Sequence, residues 1–135
     1  MLPDPSYALY RAGSLVSRAL PGPIVGPFAG GTGRLAAHLM AGRRDMVARH
    51  QRRVRPELHG DELDRAVDEV FTSYASYWIE SFRLPGTSVA DLDAKMVTEG
   101  FPMLRDAFDA GNGVIVAMPH LGAWEWAAFW LTAVQ

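Results

Sequence analysis

The sequence predicts an α/β fold in which a helical N-terminal region, residues 1–86, leads into the first strands of a sheet in residues 87–135. Three observations predict it. Apolar residues recur at three- and four-residue steps through the first part of the chain. A β-branched, wholly apolar run, Val114-Ile-Val-Ala-Met118, then follows a Gly-Asn-Gly turn and reads as a strand buried on both faces. Around that run, helix, turn, strand, loop and helix follow one another, the succession of an α/β sheet. The chain stops ten residues after Glu125, part-way through the last helix, so the sheet is expected to be truncated.

The first helix is expected over residues 6–20, with Tyr7, Tyr10, Ser14, Val16 and Leu20 interleaved with Arg11 and Arg18, and Pro21-Gly22-Pro23 closing it. A second runs from about Ile24 to Met40, weakened by Gly26, Pro27 and the Gly30-Gly31-Thr32-Gly33 cluster. That cluster lacks the flanking strand and the lysine of a phosphate-binding loop, so it predicts no nucleotide site. A basic helix continues from Arg43 to Arg55, up to Pro56. Gly60-Asp61 opens the clearest helix, in which Leu63, Val67, Val70, Tyr74, Trp78 and Phe82 form one stripe expected to be core. Leu84-Pro85-Gly86 ends it, and Ser88 with Asp91 makes a capping-box start for a short helix. Met96–Thr98 is expected as a first strand and Phe101–Ala110 as an amphipathic helix stopped by Gly111-Asn112-Gly113.

The composition, 49% hydrophobic and 21% charged over 135 residues, excludes disorder and fits a folded globular chain. Absence of cysteine excludes disulfides and a thiolate nucleophile or metal ligand. Asp4 and Pro5 come first and Arg11 and Arg18 interrupt the apolar residues, so the start does not read as a signal peptide. No stretch reaches the roughly 18–20 apolar residues of a membrane span.

The formal charge of -2 conceals an asymmetry. Arg43, Arg44, Arg49, Arg52, Arg53 and Arg55 stand against Asp45 alone, a local +5. Glu57, Asp61, Glu62, Asp64, Asp68 and Glu69 then stand against Arg65, a local -5. The basic cluster suits anionic headgroups or phosphates, with salt-sensitive binding. It equally suits a solvated helix paired with the acidic segment beside it.

The residues that carry chemistry are His120 and Glu125 in Met118-Pro-His-Leu-Gly-Ala-Trp-Glu-Trp126. Five positions apart on a continuous helix they would diverge by about 140°, so a meeting needs a break, which Pro119 and Gly122 supply. His120 is then expected in the loop after the strand, and Glu125 in the first turn of the next helix. A carboxylate on one ring nitrogen fixes the tautomer and leaves the other nitrogen to take a proton from a hydroxyl. The free N–H groups of the helix start help to stabilise a negative oxygen nearby. With no serine or cysteine in the segment, direct attack of an acceptor hydroxyl on a thioester is expected rather than a covalent enzyme intermediate. Spacing alone leaves a second reading open, a histidine beside a helix start and a glutamate on its surface. A metal site would need a third ligand and a different spacing. His38, His50 and His59 are scattered and expected at the surface.

Pro119-His-Leu-Gly-Ala-Trp-Glu125 resembles the His-x4-Asp/Glu motif of the lysophospholipid-type acyltransferases, in the form carried by the lipid A lauroyl and myristoyl acyltransferase family. Tyr74-Ala-Ser-Tyr-Trp-Ile-Glu-Ser-Phe-Arg-Leu-Pro85 is similar to the aromatic helix ahead of that motif in the actinobacterial branch, the phosphatidylinositol mannoside acyltransferases. The resemblance runs from Tyr7 onward. It implies a glycerolipid-acyltransferase-like α/β core and a monotopic enzyme on the cytoplasmic face of the plasma membrane. Such an enzyme moves a fatty acyl chain from acyl-CoA or acyl carrier protein, as co-substrate and without a cofactor, to a sugar hydroxyl of a glycolipid, phosphatidylinositol mannoside or lipid A-like. His120 is implied as general base and Glu125 as its orienting partner. The implied partners are the glycolipid, the acyl donor and an anionic membrane surface, with no nucleic acid. Ala123 departs from the asparagine common in the family and removes that amide's hydrogen bonds. Since other family site residues have no matching positions here, little or no turnover is expected of this chain alone. The alternative expectation is a non-catalytic membrane-surface module built on the Arg43 to Arg55 cluster, with Arg43, Arg44, Arg49, Arg52 and Arg53 meeting headgroups.

Overall fold

A computed structural model describes residues 4–134 of the chain, and every described element is helical. The helices are α1 (Pro5–Ala19), α2 (Gly22–Leu39), α3 (Ala41–Val54), α4 (Gly60–Arg83), α5 (Val89–Asp93), α6 (Phe101–Asp109) and α7 (Trp124–Val134), with a 3₁₀ turn at Leu84–Gly86 after α4. By contacts the chain divides into one unit ending at Gly86 and another beginning at Thr87.

The predicted sheet is not there, and this corrects the α/β expectation. No strand occurs among the described residues, and both 96–98 and 113–119 lack regular structure. The side chain of Ile115 is 100% exposed. β-Branched residues favour extended backbone because it relieves crowding at χ1, but a strand exists only when a neighbour takes up its N–H and C=O groups. The apolar run has the local preference and no pairing partner among the described residues.

In the first unit α4 is the element on which the others pack. Asp61 and Glu62 in its first turn complement the positive end of the helix dipole. Ala66, Val67 and Ile79 are its buried residues; those of α2 are Ala29, Gly33 and Ala37, and that of α1 is Ser17. Of the glycines expected to weaken α2, Gly33 turns out to matter for packing. A Cβ at Gly33 would stand 2.6 Å from Thr72 Cα and 2.8 Å from Phe71 O, so only glycine lets the two backbones approach this closely. α1 starts on Asp4, whose carboxylate accepts from Ser6 N at 2.8 Å. It ends where the Arg83 guanidinium donates to the carbonyls of Ser17 and Leu20, satisfying acceptors that a helix C-terminus leaves over. Ser14 Oγ donates to Phe82 O at 3.1 Å.

The stripe expected as core along α4 is core only in part. Val67 is buried, whereas Tyr74 and Trp78 are exposed. Their rings join Tyr10, Tyr77 and Phe82 in a chain of edge-to-face and stacked contacts with centroids 4.7–6.4 Å apart, distances at which aromatic pairs attract.

The second unit has a smaller core. Leu92 of α5 and Trp130 of α7 are buried. Trp130 Nε1 donates to Asp93 Oδ1 at 2.8 Å, and its ring meets Phe101 of α6 with centroids 5.0 Å apart. Ser88 caps α5 as its sequence indicates, accepting from Asp91 N at 3.1 Å while donating to Asp91 Oδ2 at 2.7 Å.

Candidate active site

The loop between α6 and α7 is shaped by glycines with positive φ at Gly111, Gly113 and Gly122 (77°, 73° and 56°), a backbone region that costs other residues a steric clash. Gly122 turns the chain into α7, and Leu121 N donates to Pro119 O at 2.8 Å. His120 is therefore held in a tight bend three residues ahead of Ala123, exposed, while Glu125 lies half-buried in the first turn of α7. Glu125 is in the first turn of a helix as expected, whereas the strand expected ahead of the His120 loop is absent.

The imidazole does not hydrogen-bond Glu125 in this structure. Its ring lies against the indole of Trp124, centroids 4.3 Å apart and planes tilted by 50°. Sequence reasoning missed Trp124 as the partner; the available signal was an aromatic residue inside the motif itself, next to the glutamate. Nearby, Lys95 Nζ stands 5.7 Å from the Trp126 ring, a cation–π distance.

Behind the loop, Leu104, Arg105, Phe108, Val114, Val116 and Leu131 line an apolar cavity of about 200 Å³. It takes in Val114 and Val116 of the run expected as a strand, so those two side chains face a cleft rather than a sheet neighbour. His120 and Glu125 are not among its walls.

The basic cluster lies on α3 and is divided by the packing of that helix on α4. Arg44 is half-buried and bonded to Asp68 and, at 2.8 Å, to Asp64. The hydrogen bonds it donates to Asp68 and then Asp64 hold its guanidinium above its usual pKa. Arg55 turns to Gln51 Oε1 at 2.6 Å. Arg44 thus pairs with the acidic helix, and Arg43, Arg49, Arg52 and Arg53 are left exposed.

His38, His50 and His59 are exposed in the first unit. Among the described residues no group of three or more His, Cys, Asp or Glu side chains is placed to hold a metal ion, and no helix is long and apolar enough to cross a membrane.

A family model described as bacterial lipid A biosynthesis acyltransferase matches residues 2–135. A phosphatidylinositol mannoside acyltransferase of Mycolicibacterium smegmatis is 34% identical over 122 residues, which cover 90% of this chain and 40% of that protein. One of Mycobacterium tuberculosis (strain CDC 1551 / Oshkosh) is 41% identical over 61 residues, 44% of this chain and 19% of that protein. The chain thus spans about two fifths of the length of the first of these relatives. No solved structure matches it.

Proposed function

The chain belongs to the bacterial lipid A biosynthesis acyltransferase family, and on that footing we propose that it serves the transfer of a fatty acyl chain from the thioester of acyl-CoA or acyl carrier protein to a sugar hydroxyl of a membrane glycolipid. The acceptor we propose is of the phosphatidylinositol mannoside type named for the relatives. The observation that carries this reading is an exposed histidine held in a bend immediately ahead of a helix whose first turn bears Glu125.

In the proposed reaction one ring nitrogen of His120 takes the proton of the acceptor hydroxyl as its oxygen attacks the thioester carbonyl. Glu125 accepts a hydrogen bond from the other nitrogen and steadies the imidazolium that forms. For this the imidazole turns from Trp124 towards Glu125 when the acceptor enters, since hydrogen bonds of this kind often tighten only in the loaded site. The N–H groups at the start of α7 favour the negative oxygen of the tetrahedral intermediate. As that intermediate collapses the C–S bond breaks, the imidazolium returns its proton to the departing thiolate, and the acyl ester is left on the sugar. The exposed arginines of α3 support a setting at an anionic lipid surface.

The test is transfer of radiolabelled acyl groups from acyl-CoA to phosphatidylinositol mannoside in detergent micelles, for this chain and for any longer product of the same reading frame. His120→Ala is expected to lower transfer by roughly 10²- to 10⁴-fold. Transfer that survives His120→Ala undiminished removes His120 from the chemistry, and no acceptor-dependent transfer in any product overturns the reading.

A further inference from the structure

Among the described residues no hydrogen bond or ion pair holds the side chain of His120; what its ring touches is the indole of Trp124, 4.3 Å away between centroids. The four residues between His120 and Glu125 are Leu121, Gly122, Ala123 and Trp124. Their side chains hold a single polar atom, the indole Nε1, which donates and cannot accept. The ring contact is therefore what fixes the imidazole, and a contact of this kind is worth only roughly 2- to 12-fold in a population ratio. Residues 119–122 are all exposed, whereas Trp124 is half-buried in the first turn of α7. The indole is thus anchored, and the imidazole is free to leave it.

Whatever takes the place of the imidazole must lie beside it. A hydroxyl that gives its proton to His120 comes within about 2.6–3.2 Å of a ring nitrogen, so the ring bearing that hydroxyl stands next to the indole as well. A pyranose suits this place. Its hydroxyls form a polar rim, while its C–H groups make an apolar face whose partly positive hydrogens are drawn to the negative face of an indole. The nucleotide of acyl-CoA also carries a ring that stacks, but the pantetheine arm keeps that ring far from the thioester and so from His120.

We propose that Trp124 is the platform for the acceptor's sugar and the latch of the base, holding His120 away from Glu125 until a pyranose ring replaces the imidazole on the indole. This deepens the glycolipid acyl-transfer reading and rests on it for the choice of a sugar. The released imidazole swings to Glu125, so the pair assembles only with the acceptor in position, and sugar binding supplies the free energy of that assembly. The latch has a chemical consequence. With His120 on Glu125 and no sugar present, water would give one proton to the imidazole as its oxygen attacks the thioester. The C–S bond would break, the imidazolium would protonate the departing thiolate, and a free fatty acid would be released. Holding the base on Trp124 suppresses that side reaction. Trp124 is a positioning residue through His120 and a binding residue towards the sugar.

The carbon-bound imidazole protons of His120, assigned by their loss in His120→Ala, are followed by proton NMR while methyl α-mannopyranoside is added to the intact chain. The expected result is a saturable movement of these resonances towards random-coil positions, with those of His38, His50 and His59 unmoved. Trp124→Leu is expected to begin near those positions and show no response, and Trp124→Phe, which keeps an aromatic face, to restore part of it. Resonances of His120 that are unmoved up to the solubility limit of the sugar, or that move equally in Trp124→Leu, overturn the proposal. The titration of the unsubstituted chain decides even where a variant fails to fold. A response to free coenzyme A and none to the mannoside also overturns it, since the indole then serves the acyl donor. In micelles, Trp124→Leu is expected to raise KM for phosphatidylinositol mannoside, and fatty acid release without acceptor, each by roughly 2- to 12-fold. Both values unchanged overturn the proposal. A mannoside response with no transfer in any product strikes out the enzymatic reading alone, and transfer without that response strikes out the platform alone.

Discussion

At the scale of the residue, the contact between His120 and Trp124 separates what a motif states from what side chains do. Spacing indicated a loop position for the histidine and a helix first turn for the glutamate, but which neighbour an imidazole meets depends on ring orientations that spacing does not contain. An indole face beside the ring shifts its carbon-bound proton resonances by ring current. Trp124→Leu is therefore expected to move those of His120 towards random-coil positions in a proton NMR spectrum; unchanged shifts would show that the rings do not pack in solution. Glu80 provides a second residue-level prediction. Burial raises its carboxyl pKa above the ordinary value of 4.5, so the folded chain holds the proton more firmly than the unfolded chain. The associated stability is complete below about pH 4.5 and is lost as pH rises through the higher folded value. Glu80→Gln is expected to flatten the fall in urea-unfolding midpoint above that pH, and an unaltered slope would assign the dependence to other groups.

Between elements, the contact of α2 with α4 turns on Gly33. Alanine there gains helix propensity of about 1 kcal/mol, yet its Cβ would meet backbone atoms of Phe71 and Thr72 at 2.6–2.8 Å, which no rotamer change relieves. Overpacking wins, and Gly33→Ala is expected to cost about 1–3 kcal/mol in urea denaturation. Gly31→Ala is the contrast: nothing lies within 4 Å of its Cβ position, so it is expected to stabilise by up to about 1 kcal/mol. Equal effects at the two positions would show that helix propensity, and not the approach of α2 to α4, governs the contact. The charge runs behave in the same way. Their signs are plain in the sequence, but that Arg44 of the six arginines bridges Asp64 and Asp68 follows from which side of α3 lies on α4.

Across the whole molecule, the two units hold unequal cores. The first buries Ala29, Ala37, Ala66, Val67 and Ile79, while the second buries Leu92 and Trp130. Local opening is easier where fewer apolar contacts must be broken. In hydrogen exchange on the intact chain, amides of α4 are expected to exchange much more slowly than those of α6 and α7. Comparable protection in both would show that the second unit is steadied by more than its visible core. The 113–119 run should exchange fastest among the interior segments, because it lacks regular hydrogen bonding.

The helices, their breaks and the loop-to-helix turn at His120 and Glu125 were legible in the residues alone, because those depend on neighbours a few residues away. Pro21-Gly22-Pro23, Pro56 and Leu84-Pro85-Gly86 interrupt backbone hydrogen bonding wherever the rest of the chain lies, and Gly122 turns the chain into α7 by its own φ. The family resemblance rested on the same short stretches. Whether Val114–Met118 became a strand was left to the tertiary structure, since a strand needs a partner's hydrogen bonds and the run found none among the described residues. The tertiary structure also decided which face of α2 was buried. Periodicity announces that a helix has an apolar side, but only the opposing helix shows that α4 admits alanine and glycine and leaves Ile24, Phe28, Leu35 and Leu39 turned outward.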